Sequence, residues 1–274
     1  KATLEGREVT YRQLPNYRQM AHNLGQDVVV TSEAIIQTRF SEYGQATSIV
    51  EDSLMLLSFA SGTYVASVYE DVFREGILAK SILKAVKTMP FHGHDCCVDV
   101  RNLSACDLQI FLETSFLKYK TLRQDLGLEI VLEYYLQAKQ TPLPELKYLV
   151  GVVGIECLLS YVSRYFSKTG TWKWERPTRS LVKRILGRAT RRTLRKTMIA
   201  FLDEFTIPYT KRHLKFIGMR DSLVHTGRFP RSVNGRQAYD ELIQFLDRIL
   251  LRLLGYHGRY YLNRLNSFRR EILP

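Results

Sequence analysis

The chain has 274 residues, of which 45% are hydrophobic and 11% aromatic, and this is enough to build a core in one large domain or two small ones. Its formal net charge of +13 favours a polyanionic partner, either a nucleic acid or an anionic membrane. The alternative is a basic surface that only keeps the protein soluble. Four cysteines without CxxC spacing argue against a disulfide framework and favour a reducing cytoplasm.

The chain carries no recognisable targeting or membrane-spanning segment. Its first residues are mixed and polar, unlike a signal peptide, and the missing initiator methionine leads us to expect a part of a longer protein. The longest nearly uncharged apolar run covers residues 149–162 and contains Glu156. A membrane span needs ~20 apolar residues, so this run predicts a buried core helix and no membrane partner.

The first hundred residues predict a small mixed α/β region. β-branched and aromatic runs predict strands, and apolar residues at helical spacing predict helices, the first of them with Ser48 as its N-cap. We expect strands at 27–31, 63–69 and 97–100, and helices at 48–61 and 71–88.

Several metal-ligating side chains cluster in the segment FHGHDCC, namely His92, His94, Asp95, Cys96 and Cys97. Histidine and cysteine are good zinc ligands, but the spacing matches no common zinc motif and no second ligand pair follows. We therefore expect a polar loop that leads into a strand, and no metal site.

From residue 105 onward the pattern is helical, and we expect a mainly α protein with a boundary near residue 100. Residues 1–100 would form the mixed region and residues 101–274 an all-helical bundle. Thr141, Pro142 and Pro144 mark a turn, and Pro208 is expected to begin a helix that ends near Gly227. The predicted helices cover 105–124, 127–139, 145–166, 178–204, 208–227 and 236–255.

One short motif carries chemistry. In residues 218–228, GMRDSLVHTGR, Arg220 and His225 enclose four residues and a glycine follows closely. The tract resembles the R-x(4–6)-H signature of the HEPN superfamily, near a helix end, and within it the ApeA-like group. The preceding run with Glu156 ahead of Leu158 and Leu159 also resembles those domains. The alternative is a histidine that interacts with the helix dipole and an ordinary surface arginine.

The resemblance implies RNA cleavage without a metal or a cofactor. RNA supplies its own nucleophile, the 2′-OH, and histidine titrates near neutral pH, so His225 suits general acid–base work. Arg220 remains cationic, and its planar fork matches phosphate oxygens. DNA lacks the 2′-OH and should survive.

Residues five apart on an ideal helix lie ~140° apart, so Arg220 and His225 of one chain need not act as a pair. The resemblance implies a homodimer in which two motifs form a composite, two-fold site. Asp221 would orient His225 or hold the partner's Arg220, and Ser222 and Thr226 would add hydrogen bonds. Glu156, a carboxylate in an apolar helix, needs a partner, and Arg220 is our candidate. Alternatively, Glu156 reaches the surface from the outer face of its helix.

A basic helix precedes the motif and is expected to bind RNA. Its arginines repeat at helical spacing on one face, where they suit a phosphate backbone, and two upstream tryptophans are expected to stack on unpaired bases. The alternatives are a solvated face with core tryptophans, or a helix on a membrane surface. The residues are Arg184, Arg188, Arg191, Arg192, Arg195, Trp172 and Trp174.

Two functions from different classes follow. The first is an endoribonuclease, a toxin or anti-phage defence effector of the cytoplasm that an antitoxin or a larger defence complex would restrain. The second is a non-catalytic HEPN-like module for dimerisation and for binding RNA or a nucleotide. A DNA-binding protein ranks last, because no helix-turn-helix with a clear recognition helix is visible.

Overall fold

A computed structural model describes residues 1–15, 32–84, 96–98, 106–169, 190–264 and 267–272. The predicted mainly α class is confirmed. The chain forms two compact units: unit 1 contains residues 1–120, 258–262 and 270–274, and unit 2 contains residues 121–257 and 263–269. The boundary predicted near residue 100 falls outside the described residues and stays a prediction. By contacts, the units divide between Lys120 and Thr121.

Unit 1 begins with a three-stranded antiparallel sheet that the sequence analysis missed. Val9 lies in the central strand, opposite Ala2 on one side and Ile36 on the other, and is fully buried. Glu5 and Gly6 have φ of 50° and 74°, which is the two-residue turn that suits a tight hairpin. The strands are β1 Ala2–Leu4, β2 Arg7–Gln13 and β3 Ser32–Ile36, while the strand predicted at 27–31 lies outside the described residues.

The first long helix is α1, Tyr43–Ser61, which follows a 3-10 turn at Phe40–Glu42. The helix predicted at 48–61 is confirmed, but its predicted start is wrong, because the apolar pattern continues back from Ser48 to Tyr43. Gly62 ends the helix with φ of 68°, and its backbone N–H donates to the carbonyl of Phe59.

The next elements are two strands, β4 Tyr69–Arg74 and β5 Ile77–Leu83, paired as an antiparallel hairpin. The predicted strand at 63–69 is therefore wrong except at Tyr69, and the predicted helix at 71–88 is wrong over the described residues. Glu75 and Gly76 both have positive φ, so the chain reverses where a helix would have continued. Apolar residues at 72, 73, 77 and 78 fit either a helix or a strand, and the turn decides between them.

Of the FHGHDCC segment, the structure describes Cys96, Cys97 and the following Val98, and all three are buried. The Cys97 thiol donates to the carbonyl of Phe59, and the Cys97 backbone N–H donates to the carbonyl of Ala60. The strand predicted at 97–100 is not formed at Cys97 and Val98. The other candidate metal ligands, His92, His94 and Asp95, lie outside the described residues.

Helix α2, Cys106–Asp125, follows, and the helical prediction for 105–124 is confirmed. Unit 2 then consists mainly of helices, in agreement with the sequence pattern. Its central helix, α4, packs against the four other helices that lie within the described residues of the unit. The helices are α3 Leu128–Gln140, α4 Pro144–Thr169, α5 Thr190–Glu204, α6 Phe216–Thr226 and α7 Gly235–Leu253.

The buried face of α4 explains its central position. Tyr148, Val152, Ile155, Leu159 and Val162 are all at most 2% exposed, and their spacing lines one side of a helix. Two glycines of the helix permit close packing, because a Cβ at Gly151 would lie 3.1 Å from Leu242 and one at Gly154 would lie 3.1 Å from Tyr134.

Among the described helices, α4 is the one whose length and apolar composition would suffice to cross a membrane, over Pro144–Arg164. The core helix of a folded bundle meets the same criterion, and 44% of the apolar stretch is buried within the fold. The contacts of α4 with four neighbouring helices agree with the prediction of a core helix. One helix that is long and apolar enough to cross a membrane is weak support for a membrane span.

Helix α6 begins later than predicted. Pro208 does not begin a helix, because a turn comes between it and α6. In this turn the Thr210 backbone N–H donates to Nδ1 of His213, and the His213 backbone N–H donates to the carbonyl of Thr210. A 3-10 turn, His213–Lys215, then leads into α6 at Phe216. The predicted helix end is confirmed, since Gly227 has φ of 68° and its N–H donates to the carbonyl of Leu223.

The chain closes with two more strands, β6 Arg259–Arg264 and β7 Ser267–Ile272, which pair with each other. The expectation of an all-helical region over 101–274 is therefore wrong at its C-terminal end. The strands contain aromatic and β-branched residues, which favour extended backbone on a half-buried surface. Tyr260, for example, is 3% exposed.

Candidate functional site

The candidate site is built on α6, which contains the whole R-x4-H motif. Arg220 reaches from this helix to Glu156 on α4, where Nε lies 2.8 Å from Oε1 and Nη2 lies 3.3 Å from Oε2. The expected pair of Glu156 and Arg220 is thus present, in the parallel two-bond arrangement that guanidinium and carboxylate groups favour. Glu156 is half-buried rather than a fully exposed residue of an outer face, with 28% of its side chain exposed.

A second carboxylate also contacts the arginine. Nη1 of Arg220 lies 3.3 Å from Oδ1 of Asp221, its neighbour in the chain, and the Asp221 side chain is 21% exposed. A guanidinium has five N–H donors, and these contacts engage three of them. Arg220 remains 37% exposed, so its position is fixed by two acidic groups while part of the guanidinium can still meet an anion from solvent.

His225 lies in the last turn of α6 and is exposed. Its imidazole has no hydrogen-bond partner among the residues that the structure describes. On a continuous helix it lies ~140° around the axis from Arg220, so the angular separation expected from the spacing is retained. The position in the last turn also fits the alternative in which the histidine interacts with the helix dipole.

Ser222 and Thr226 take local roles. The Thr226 hydroxyl donates to the carbonyl of Ser222 at 2.8 Å and also lies 3.1 Å from the carbonyl of Arg228. It accepts the Arg228 backbone N–H at 3.3 Å. These hydrogen bonds stabilise the C-terminal end of α6. The Thr226 side chain therefore binds backbone groups of Ser222 and Arg228, and Ser222 takes part through its backbone carbonyl.

Two exposed valines, which were not among the predicted site residues, lie beside the ion pair. Val153 is 39% exposed and precedes Glu156 by three residues on α4, while Val224 is 55% exposed and follows Arg220 by four residues on α6. Residues three and four apart are neighbours on a helix surface, so each valine lies beside one member of the pair. Their spacing from Glu156 and Arg220 along the two helices is the signal that would have predicted these two apolar neighbours.

Most of the predicted RNA-binding helix falls outside the described residues. This applies to Trp172, Trp174, Arg184 and Arg188. The backbone of the other three arginines belongs to α5, and of their side chains the structure describes Arg195, which is exposed. The helical assignment of residues 190–204 agrees with the prediction, and the proposed contact with RNA stays a prediction for Arg191, Arg192 and Arg195.

Metal ligation has no candidate in the described ranges, since they contain no group of three or more histidine, cysteine, aspartate or glutamate side chains that could hold an ion. A scan against protein-family models and searches of curated proteins and solved structures found no match to this chain. The likeness to the HEPN superfamily therefore rests on the residues of the motif and of the apolar helix with Glu156.

Proposed function

We propose that this protein is a metal-independent endoribonuclease of the HEPN type that acts as a homodimer. The observation that carries the proposal is the arrangement of the motif residues. Arg220 and His225 lie on one helix and both are accessible to solvent, and Glu156 orients the guanidinium of Arg220 from a neighbouring helix. An oriented arginine and an accessible histidine on the same helix supply the phosphate-binding group and the acid–base group that cleavage of a phosphodiester needs.

In the proposed reaction the 2′-oxygen of RNA attacks the adjacent phosphorus, and the bond from phosphorus to the 5′-oxygen breaks. His225 removes the 2′-proton or donates a proton to the departing 5′-oxygen, and a second acid–base group or water carries the other transfer. Arg220 neutralises the charge that gathers on the phosphate oxygens. The products are a 2′,3′-cyclic phosphate and a 5′-hydroxyl.

The homodimer is part of the proposal because Arg220 and His225 of the same chain point in different directions from the helix axis. A two-fold interface would bring Arg220 of one protomer to His225 of the other. The exposed Val153 and Val224 support this arrangement, because an apolar patch beside the ion pair gains by burial against its own copy. Asp221 would then hold the arginine in register while the dimer forms.

RNA is the proposed partner, and the net charge of +13 supports it. The arginines at 184, 188, 191, 192 and 195, with Trp172 and Trp174, are proposed to lie along the RNA strand. We propose that the enzyme works in the cytoplasm as a toxin or an anti-phage defence effector, under control of an antitoxin or a larger defence complex.

A non-catalytic module is the second candidate, and one observation favours it. Two carboxylates already engage Arg220 and offset its charge, so less of its attraction remains for a scissile phosphate. A HEPN-like domain that only dimerises and binds RNA or a nucleotide would not need this arginine to stabilise a transition state.

The test is cleavage of single-stranded RNA in the presence of EDTA by the wild-type protein and by Arg220→Ala and His225→Ala variants. Matched controls are Arg212→Ala, which removes another ion-paired arginine of unit 2, and His257→Ala, which removes another exposed histidine. We expect both motif variants to lose cleavage and both controls to keep it. RNA binding without cleavage by the wild-type protein would instead favour the non-catalytic module.

The composite site has a separate test. If Arg220 and His225 act across the dimer, an equimolar mixture of the two inactive variants should recover about a quarter of the wild-type rate, because half of the dimers are mixed and each has one complete site. Light scattering gives the mass of the same samples. A mixture that stays inactive while mixed dimers form would contradict a site shared between chains.

A further inference from the structure

We propose that residues 228–236, here called the basic loop, bind the phosphates of the RNA strand that flank the scissile one. The basic loop comprises the connection from α6 to α7 and the first two residues of α7, and it starts three residues after His225. The inference rests on the proposed function, which it extends from one phosphate to the neighbouring nucleotides of the substrate. The residues that carry it are Arg228, Arg231 and Arg236.

The charge of this segment is one-sided. Between Asp221 and Asp240 the sequence contains three arginines and no acidic residue. Arg228, Arg231 and Arg236 are all exposed, and within the part of the chain that the structure describes none of them forms an ion pair. By contrast, Arg12 contacts Glu33 and Arg212 contacts Glu241. An exposed arginine that forms no ion pair retains its attraction for a phosphate, whose geometry its planar fork matches.

The loop is held in place by an aromatic anchor. Phe229 packs edge-on against Tyr148 of α4, with 5.3 Å between ring centroids and 82° between the planes. Gly235 makes room for this ring, because a Cβ at that position would lie 2.5 Å from Phe229. The anchor lies between Arg228 and Arg231 in the chain, so both arginines extend from a fixed backbone.

Backbone hydrogen bonds fix the loop further. The Thr226 hydroxyl accepts the backbone N–H of Arg228, which keeps this residue at the end of α6. The Val233 N–H donates to the carbonyl of Pro230 at 2.9 Å and closes a turn that contains Arg231. A loop that is ordered before binding loses less conformational entropy when it takes up a ligand.

The position of the basic loop defines the substrate class. A strand whose scissile phosphate meets His225 at the end of α6 would continue over the residues that follow this helix. The substrate is therefore an RNA strand of several nucleotides rather than a dinucleotide. Shortening the substrate should raise KM, because the flanking phosphates are lost and the scissile one remains.

The experiment measures Kd for a labelled single-stranded RNA oligonucleotide of mixed sequence as a function of salt, in a His225→Ala background that does not cut it. The test variant is Arg228→Gln/Arg231→Gln, and the matched control is Arg74→Gln/Lys118→Gln, which removes two exposed cations of unit 1. We expect the test variant to weaken binding about tenfold, since two exposed ion pairs are lost. The slope of log Kd against log salt should fall by about 1.4, at ~0.7 per phosphate of a single strand.

Equal Kd and equal slope in the test variant and its control would overturn the inference. Arg228→Lys/Arg231→Lys should keep the slope, because the charge remains, and all variants should have wild-type helical content. In the active protein, Arg228→Gln/Arg231→Gln should raise KM and leave kcat near the wild-type value. If the wild-type protein fails to cleave RNA but binding still depends on these arginines, the proposed function fails while the RNA-binding loop stands.

Discussion

The guanidinium of Arg220 and the carboxylate of Glu156 meet across the contact between α6 and α4, with Nε 2.8 Å from Oε1. The two residues are 64 positions apart in the chain. The pair joins the helix that carries the motif to the central helix of unit 2. It thereby gives the candidate site a fixed arginine without placing that arginine fully in the core.

This pair should contribute modestly to stability. A double-mutant cycle with Glu156→Gln and Arg220→Gln, measured by denaturant unfolding, should give a coupling of about 1 kcal/mol, because both side chains are partly exposed and water screens their attraction. Glu204→Gln, an exposed carboxylate of α5, serves as the control partner for Arg220→Gln and should show no coupling. A coupling of zero for Glu156 as well would mean that the contact does not hold the arginine.

The buried bond between α3 and α7 should matter more. Tyr135 is fully buried and its hydroxyl donates to Oδ1 of Asp247 at 2.6 Å, and Asp247 is itself 3% exposed. Tyr135→Phe removes a donor from a buried carboxylate and should lower the free energy of unfolding by about 1–3 kcal/mol. Tyr134→Phe is the matched control on the same helix and should change it by less than about 0.5 kcal/mol. Equal effects of the two substitutions would contradict a stabilising role for this bond.

The glycine before α3 should not tolerate a side chain. Gly127 has φ of 57°, and a Cβ there would overlap the ring of Tyr161. Gly127→Ala combines a left-handed backbone with overpacking and should cost about 2 kcal/mol or more in unfolding free energy. Gly218→Ala, in open space on α6, should instead stabilise by about 0.5–1 kcal/mol, because alanine favours helix. Thermal unfolding of both variants gives the comparison, and a neutral Gly127→Ala would contradict the close approach of Tyr161.

His213 should make stability depend on pH. Its ring stacks on Phe245, with 4.8 Å between centroids, and its Nδ1 accepts the Thr210 N–H. Burial lowers the pKa of His213, and the nearby Arg248 lowers it further, against the opposite effect of Glu241. The unfolded chain therefore binds a proton at higher pH than the folded one. The contribution to stability is complete above the ordinary pKa near 6.5 and is lost as pH falls from there toward the lowered folded pKa.

Unfolding free energies measured between pH 5 and pH 8 check this expectation. Replacing His213 by glutamine should flatten the decline toward low pH, whereas His257→Gln, at an exposed site, should leave the wild-type slope. An unchanged slope in the His213→Gln variant would show that other groups cause the pH dependence.

Local patterns in the sequence predicted the helices of unit 2 and several of their ends. Apolar spacing located α3, α4 and α7, and Gly227 marked the end of α6 because glycine adopts the left-handed backbone without strain. The same rules failed where one pattern of apolar residues fits both a helix and a strand. Apolar residues over 71–88 fit a helix, and the pair of positive φ angles at Glu75 and Gly76 decided for the hairpin.

Charge, acid–base character and helical periodicity are properties of short segments, so they could be predicted without a structure. They predicted the types of group in the candidate site, the spacing of these groups along α6, and the need of Glu156 for a partner. The packing of α6 on α4 showed that Arg220, the candidate, is that partner and that two exposed valines lie beside the pair. The packing of Phe229 on Tyr148, which anchors a loop of exposed arginines, was likewise visible only in the fold. Each of these contacts joins positions far apart in the chain, and such contacts depend on how whole helices pack, which no local pattern encodes.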